Sequence, residues 1–350
     1  VTSTATIDRA NAAQVIYNAL TSVVVAVNAD GDTKDAYTTG SGDNYYAKNV
    51  LEVYLDCTLY GDADDLDKDG FGVYPYEAAQ DSVVNTMGYV GAYVKAFAND
   101  DGDVVAIAES KSTFLTGKYD VDDEEFKVGD TVYTLTEKNM EKAKAALVNM
   151  KDITPLDKDK NADVDAAAVD KDATGTKALF NGYATKTGSV TLAADVSGKT
   201  IKEVYSIHKW VATEAFFYEK DMLEDDNLYG YDFDLNNDNA IDNGKFQLNG
   251  AKALSDIAED NIIEVFTVGN SDSADIARVD VGTKTVEGKI TMIDDGDYTI
   301  GGTVYGAADV VASNEKDSIP TDSGDTGTAY LSFRGEIAGW ELEDAASDNY

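Results

Sequence analysis

The strongest constraint in the sequence is that it partly repeats itself. Residues 116–135 read TGKYDVDDEEFKVGDTVYTL and residues 287–307 read EGKITMIDDGDYTIGGTVYGA. Gly117-Lys118 therefore answers Gly288-Lys289, and Thr131-Val132-Tyr133 answers Thr303-Val304-Tyr305 with one inserted residue. Each copy has the pattern of a strand, an acidic turn and a second strand. A hairpin pattern of apolar strand, polar turn and apolar strand also recurs, as AYVKAFANDDGDVVAIAE at 92–109, IEVFTVGNSDSADIARVDV at 263–281 and AYLSFRGEIAGWELE at 329–343. Recurrent short strands of this kind build serial small modules rather than one large sheet.

The expected fold is mainly β: serial small β-sandwich or β-barrel-like modules, with one N-terminal helix and a long helix-containing insertion in the middle module. Asp8 to Leu20 supplies the N-terminal helix, with Ala12, Ala13, Ile16, Ala19 and Leu20 on one face behind an Asp8 N-cap. The divisions expected are 1–30 for that helix and a linker, 31–112 for a first β-module, 113–284 for a second, and 285–350 for a third. The second carries the insertion at about 136–250, where Met140, Ala143, Leu147 and Met150 keep helical spacing across Glu137 to Met150. Val50 to Leu55, rich in Val, Leu and Tyr, reads as a strand. The Ala- and Asp-rich stretch near 157–175 reads as solvated loop.

Charge then removes whole classes of function. With 28 Lys+Arg against 66 Asp+Glu the formal charge is −38, and the only arginines are Arg9, Arg278 and Arg334. Such a chain opposes the phosphate neutralisation that nucleic-acid binding needs, and equally opposes anionic lipid. No apolar run approaches the ~20 residues that span a bilayer. One His and one Cys exclude a His/Cys zinc site and an internal disulfide. No GxSxG, GxxxxGK[ST] or HExxH occurs. Carboxylate pairs of the glycosidase kind carry no signal where acids are everywhere. His208 lies in a strand-like segment and Cys57 in an apolar one, so both read as packing residues. The expectation is a protein that is not an enzyme.

Three loops place acidic or amide side chains at alternate positions, which lets a turning backbone aim several oxygens at one Ca²⁺. In Asp234-x-Asn236-x-Asp238-x-Ala240-Ile241-Asp242 the first nine positions are dockerin-like, the twelfth is Lys245, and Asp232 is the candidate for the missing ligand. In Asp65-x-Asp67-x-Asp69-Gly70 the turn glycine is present and Glu77 stands one residue past the usual twelfth place. The third, Asp157-x-Asp159-x-Asn161, lacks the glycine. The competing reading is that all three are solvated acidic loops. Trp210, Phe216, Phe217, Tyr218, Tyr229 and Tyr231 are either a sugar-binding platform or the filling of β-faces.

The string ATIDRANAAQVIYNAL, Ala5 to Leu20, resembles the closing helix of an S-layer homology repeat, matching at Ile7, Arg9, Ala10, Tyr17, Asn18 and Leu20 and departing at Asp8 and Asn11. The strand-rich remainder, with GYVGAYVKAFANDDGDVVAIAESK at 88–111, is similar to the body of such proteins from Gram-positive bacteria. The resemblance implies a secreted bacterial cell-surface protein that polymerises with copies of itself into an S-layer array or a filament. Further repeats of the family would hold secondary cell-wall polysaccharide. No secretory leader opens the chain, which fits a mature protein or a segment of a longer one. A monomeric calcium-dependent adhesin or carbohydrate-binding surface protein is the alternative.

Overall fold

In a computed structural model the described residues are 16–27, 33–35, 38–39, 46–62, 65–154, 180–184, 189–224, 227–234, 241–242, 244–271, 274–294, 296–312, 314, 316 and 318–343. The chain divides into two compact units, Val1–Ala145 with Asp172–Ile207, and Ala146–Lys171 with His208–Tyr350. Both are strand-rich, as the sequence leads one to expect.

Unit 1 opens with helix α1 at 16–21, followed by the antiparallel pairs β1 (Val25–Val27) with β2 (Thr33–Asp35) and β3 (Thr38–Thr39) with β4 (Tyr46–Ala47). Tyr17 and Leu20 of α1 pack on a core of Leu51, Cys57, Phe97 and Ala106. Ile16, expected on the apolar face, is instead exposed. Residues 8–15 of the expected helix lie outside the described residues.

Val50–Tyr54 is not a strand but helix α2. The reason is local: the Asn49 side chain accepts from the amide of Glu52 (3.1 Å) while the Glu52 carboxylate accepts from the amide of Asn49 (3.0 Å). This capping box satisfies orphan amides at the helix start and outweighs the β preference of Val and Tyr.

The hairpin expected at 92–109 forms as β7 (Tyr93–Ala98) against β8 (Val104–Ser110), with β5 (Thr58–Leu59) and β6 (Gly72–Val73) on the other edge of β7. Helix α3 (Tyr76–Gln80) lies between β6 and β7 in sequence. Directly after β8 begins a five-stranded barrel. It consists of β9 (Thr113–Asp120), β10 (Glu125–Val128) and β11 (Thr131–Thr134), then, after helix α4 (Glu137–Met140) and helix α5 at 180–184, β14 (Ser189–Ser197) and β15 (Thr200–Lys209). Strands β12 (Ala145–Val148) and β13 (Lys151–Asp152) intervene in sequence.

The helix expected over 137–150 therefore stops at Met140. Ala145–Val148 is a strand with all four residues buried, and Asn149 and Met150 turn the chain at φ of 42° and 72°. The apolar spacing read as helical marked burial alone, since Met140, Leu147 and Met150 are almost fully buried and Ala143 is 8% exposed.

Unit 2 repeats the scheme. Strands β16 (Glu214–Phe217), β20 (Gln247–Asn249), β21 (Ile262–Thr267) and β22 (Ile276–Gly282) form a four-stranded sheet, after which β23 (Lys284–Asp294), β24 (Asp297–Ile300), β25 (Thr303–Gly306), β26 (Thr326–Leu331) and β27 (Ile337–Leu342) form a second five-stranded sheet. A small meander of β17 (Leu223–Glu224), β18 (Asn227–Leu228) and β19 (Tyr231–Asp232) sits between β16 and β20 in sequence.

If the five strands of each barrel are numbered in chain order, the first pairs with the second and fourth, the second with the third, and the fourth with the fifth. The third meets the fifth in parallel, at Thr134↔Thr200 in one barrel and Ala307↔Ile337 in the other. The circuit 1-2-3-5-4-1 is that of the OB-fold, a five-stranded Greek-key barrel. The sequence repeat falls on equivalent places in the two. Leu115, Gly117 and Tyr119 face inward on β9, as do Val286, Gly288 and Ile290 on β23. At Gly117 the Lys127 carbonyl fills the space a Cβ would need, and Gly288 has a φ of +152°, so the first strand bends at glycine to serve two neighbours.

One expectation is corrected by the pairing. The opening strands at 116–135 are completed by β14 and β15, within what was read as insertion, while the hairpin at 263–281 belongs to a separate sheet.

Candidate cation-binding loops

The three acidic loops differ in what the structure makes of them. In the first, Asp67 is the organising residue. Its Oδ1 accepts from the amides of Asp69 and Phe71 (2.9 Å each), its own amide donates to the Phe71 carbonyl (2.8 Å), and Gly70 at a φ of +83° donates to the Asp67 carbonyl. The Lys111 ammonium stands 3.6 Å from Oδ2, itself 3.6 Å from the centre of the Phe71 ring. The Tyr93 hydroxyl bonds to Asp67 and accepts from Lys144 Nζ (2.8 Å). Burial alone would raise the Asp67 pKa, but the Phe71 amide, the Tyr93 hydroxyl, the Asp69 amide and Lys111 together hold it below the usual carboxylate range.

These donors test the fit of a metal. Protein groups, one of them a full positive charge, already serve both oxygens of Asp67, so this residue does not suit a Ca²⁺ ligand. Asp65 and Asp69 are exposed, as is Glu77 on α3. Among the described residues no three Asp, Glu, His or Cys side chains form a group that could hold a metal.

The second loop is closed at its ends. The Asp242 amide donates to the Phe233 carbonyl (2.9 Å) and the Asp234 amide to Asp232 Oδ1 (2.9 Å), which pins the first and ninth positions of the motif to one loop base. That base is anchored by Phe233, fully buried and edge-on to Phe246 at 4.8 Å, in a core with Phe216, Leu228, Val265 and Val279. Asn236 and Asp238 lie outside the described residues, as do Asp157, Asp159 and Asn161 of the third loop. Asp232, Asp234 and Asp242 are oxygen donors of the kind a hard cation takes, but as placed they do not form a group of three that could hold one.

The other candidates resolve by burial. His208 is 3% exposed and burial pulls its pKa down to about 4, so the ring is neutral. Cys57 is buried, its Sγ donating to the Leu55 carbonyl, and burial raises the thiol pKa, with Asp100, Asp56 and Glu52 adding to the rise. Phe216, Phe217 and Tyr218 are core residues, whereas Tyr229 is 42% exposed and lies against Phe216 at 4.5 Å. Tyr229 borders an open depression lined by Glu219, Asp221, Glu224 and Asn227.

The hairpin β14–β15 escaped the sequence reading, although Ser197-Gly198-Lys199 is a turn signal and Gly198 has a φ of +61°. The edges of the barrels form a further shared feature. Val132 on β11 and Val304 on β25, equivalent residues of the repeat, are 40% and 56% exposed. Strand β25 ends its sheet order, and among the described residues its outer edge has no strand partner beyond the bridge at Ala307. No helix among the described residues is long and apolar enough to cross a membrane. No family model, curated protein or solved structure matches the chain.

Proposed function

We propose that this protein is a structural subunit that associates with its own copies into an extracellular array or filament on a bacterial surface, and that its work is mechanical rather than catalytic. The observation that carries this reading is the duplicated barrel with an exposed valine at the same place on the third strand of each copy. An open strand edge with an apolar side chain is a template for pairing with another chain, and natural monomers blunt such edges with charge, proline or a cover. The edge of β25, without a strand partner among the described residues beyond the bridge at Ala307, offers such a contact, and β11, whose Thr134 already pairs with Thr200 of β15, adds an exposed valine at the equivalent place. The location and the cell-wall partner rest on the resemblance of Ala5 to Leu20 to an S-layer homology helix.

Calcium enters this reading at the motif Asp234-x-Asn236-x-Asp238, whose described carboxylates are Asp232, Asp234 and Asp242. Clustered carboxylates repel one another, and a bound divalent ion relieves that locally on a chain of charge −38. The first acidic loop is the weaker candidate, because Lys111 already stands against Asp67.

The test is electron microscopy of the purified chain in about millimolar Ca²⁺, the range of extracellular calcium modules, and again with chelator. Sheets or filaments that dissolve in chelator support both parts of the proposal, and order that persists keeps the subunit and removes the ion. Dispersed particles in both conditions refute self-assembly. In that event the second reading, a monomeric glycan-binding adhesin, gains from the depression beside Tyr229.

A further inference from the structure

Strand β21 carries a glutamate where a core strand has no ordinary use for one. Glu264 is fully buried and lies on the same face as Ile262, which packs with Phe217 and Ala215 of the sheet against Ala308, Tyr330 and Ala338 of the second barrel. The register sets it directly opposite Asp280 on β22, also fully buried. Like charges in a cross-strand pair repel, and burial strengthens the repulsion.

Two arginines answer the two acids. Arg278 makes a bidentate pair with Asp280, which also accepts from Asn249 on β20 (2.8 Å). Arg334, at the tip of the turn between β26 and β27, reaches Glu264 Oε1 (3.3 Å) and stands 3.3 Å from Glu336 Oε2. On the other side of β21 the residue paired with Glu264 is Ala215, which brings no charge. The cluster thus holds three carboxyl groups and two guanidinium groups.

The balance is incomplete in two ways. With all three acids ionised the cluster carries one uncompensated negative charge. Glu264 Oε2, Arg334 Nε and Glu336 Oε2 are buried without an aligned hydrogen bond, the last two in ion contact only. One proton on Glu264 corrects the charge.

We propose that Glu264 is a proton-operated latch: in its neutral form it completes the buried contact between the β26–β27 turn and the four-stranded sheet, and losing the proton loosens that turn. Oε1 continues to accept from Arg334 in either state, while a proton on Oε2 removes the repulsion from Asp280 and Glu336. Burial pushes the Glu264 pKa up to about 7, Arg334 opposing the rise and Asp280 and Glu336 adding to it. A raised acid stabilises the closed form below its open-state pKa and loses that contribution as pH climbs to the closed-state value. The latch therefore holds in mild acid and slackens through neutrality.

The chain offers an unusually clear background for this effect. Its only histidine is neutral above about 4 and its only cysteine has a raised pKa, so neither adds a change of charge between mild acid and neutrality.

Amide hydrogen exchange across residues 332–336, corrected for intrinsic rate, tests the latch at about pH 5.5 and about pH 8.5 in the wild type and in Glu264→Gln. Protection falling about tenfold or more with pH in the wild type, and remaining level in the variant, is the expected result. A level wild type, or a variant that keeps the full response, overturns the proposal. Should the variant not fold, carbon NMR titration of the Glu264 carboxyl in the wild type decides. A midpoint above about 6 supports the latch, and one near the ordinary glutamate value of about 4.3 removes it.

Discussion

Replacing Val304 with Lys separates assembly from folding. Val304 leaves 56% of its surface exposed on the outer strand of the second barrel. A strand laid against that edge would hide on the order of 60–80 Å² of valine, worth ~1.5–2 kcal/mol at ~25 cal/mol per Å². A lysine forfeits this contact and sets a charge on the edge, the device that natural sheets use against edge pairing. Since ~1.4 kcal/mol is tenfold in an equilibrium constant, the critical concentration for assembly should rise at least about tenfold. The subunit itself should lose no more than about 0.5 kcal/mol, because the site is exposed and holds no buried partner. Sedimentation of assembled material over a protein concentration series measures the first quantity, and a denaturant midpoint the second. An unchanged critical concentration with normal folding would refute the argument from the exposed edge. Val132→Lys on the equivalent strand of the first barrel asks the same question independently.

Two further predictions concern side chains that hold loops and turns in place. Asn149 donates through Nδ2 to the carbonyls of Val211 (2.7 Å) and Thr267 (2.9 Å) and accepts from the Val211 amide (2.9 Å) at a positive φ. Asn149→Ala strands those groups and places alanine in the left-handed region, so unit 2 should lose about 2–4 kcal/mol in denaturant titrations. Asp67 has a depressed pKa, so its contribution is present above the ordinary aspartate value and disappears as pH falls through the lower folded value. Asp67→Asn should therefore reduce stability at neutral pH and flatten the acid limb of a thermal-midpoint profile below about pH 4; an unaltered limb would place the effect elsewhere.

The sequence displayed its hairpins and its duplication because both rest on local pattern. Tyr93 to Ser110, Ile263 to Val281 and Ala329 to Leu342 alternate, turn at Gly or Asp, and pair as expected. Which hairpin completes which barrel is a long-range choice, and local alternation does not encode it. The strands at 116–135 close with 189–209, across more than fifty residues, because β9 pairs with β10 along one edge and with β14 along the other. The stretch at Val50 was misread for the opposite reason. Its β-prone residues were visible, whereas the deciding signal was Asn49 and Glu52 at capping-box spacing. Among the acidic loops, the alternation of oxygens was legible, but the contact of Lys111 with Asp67, from far along the chain, was not. The Glu264 cluster was invisible for the same reason, since Asp280, Arg334 and Glu336 meet it only through sheet register and a turn.

Deuterium uptake at the outer strands, compared between dispersed and assembled protein, tests the central claim most directly. If copies join through the edges of β11 and β25, the amides of Thr131–Thr134 and Thr303–Gly306 gain strong protection on assembly, while the buried strand β21 shows no change. Assemblies in which those two strands exchange as freely as in the dispersed chain would contradict the account.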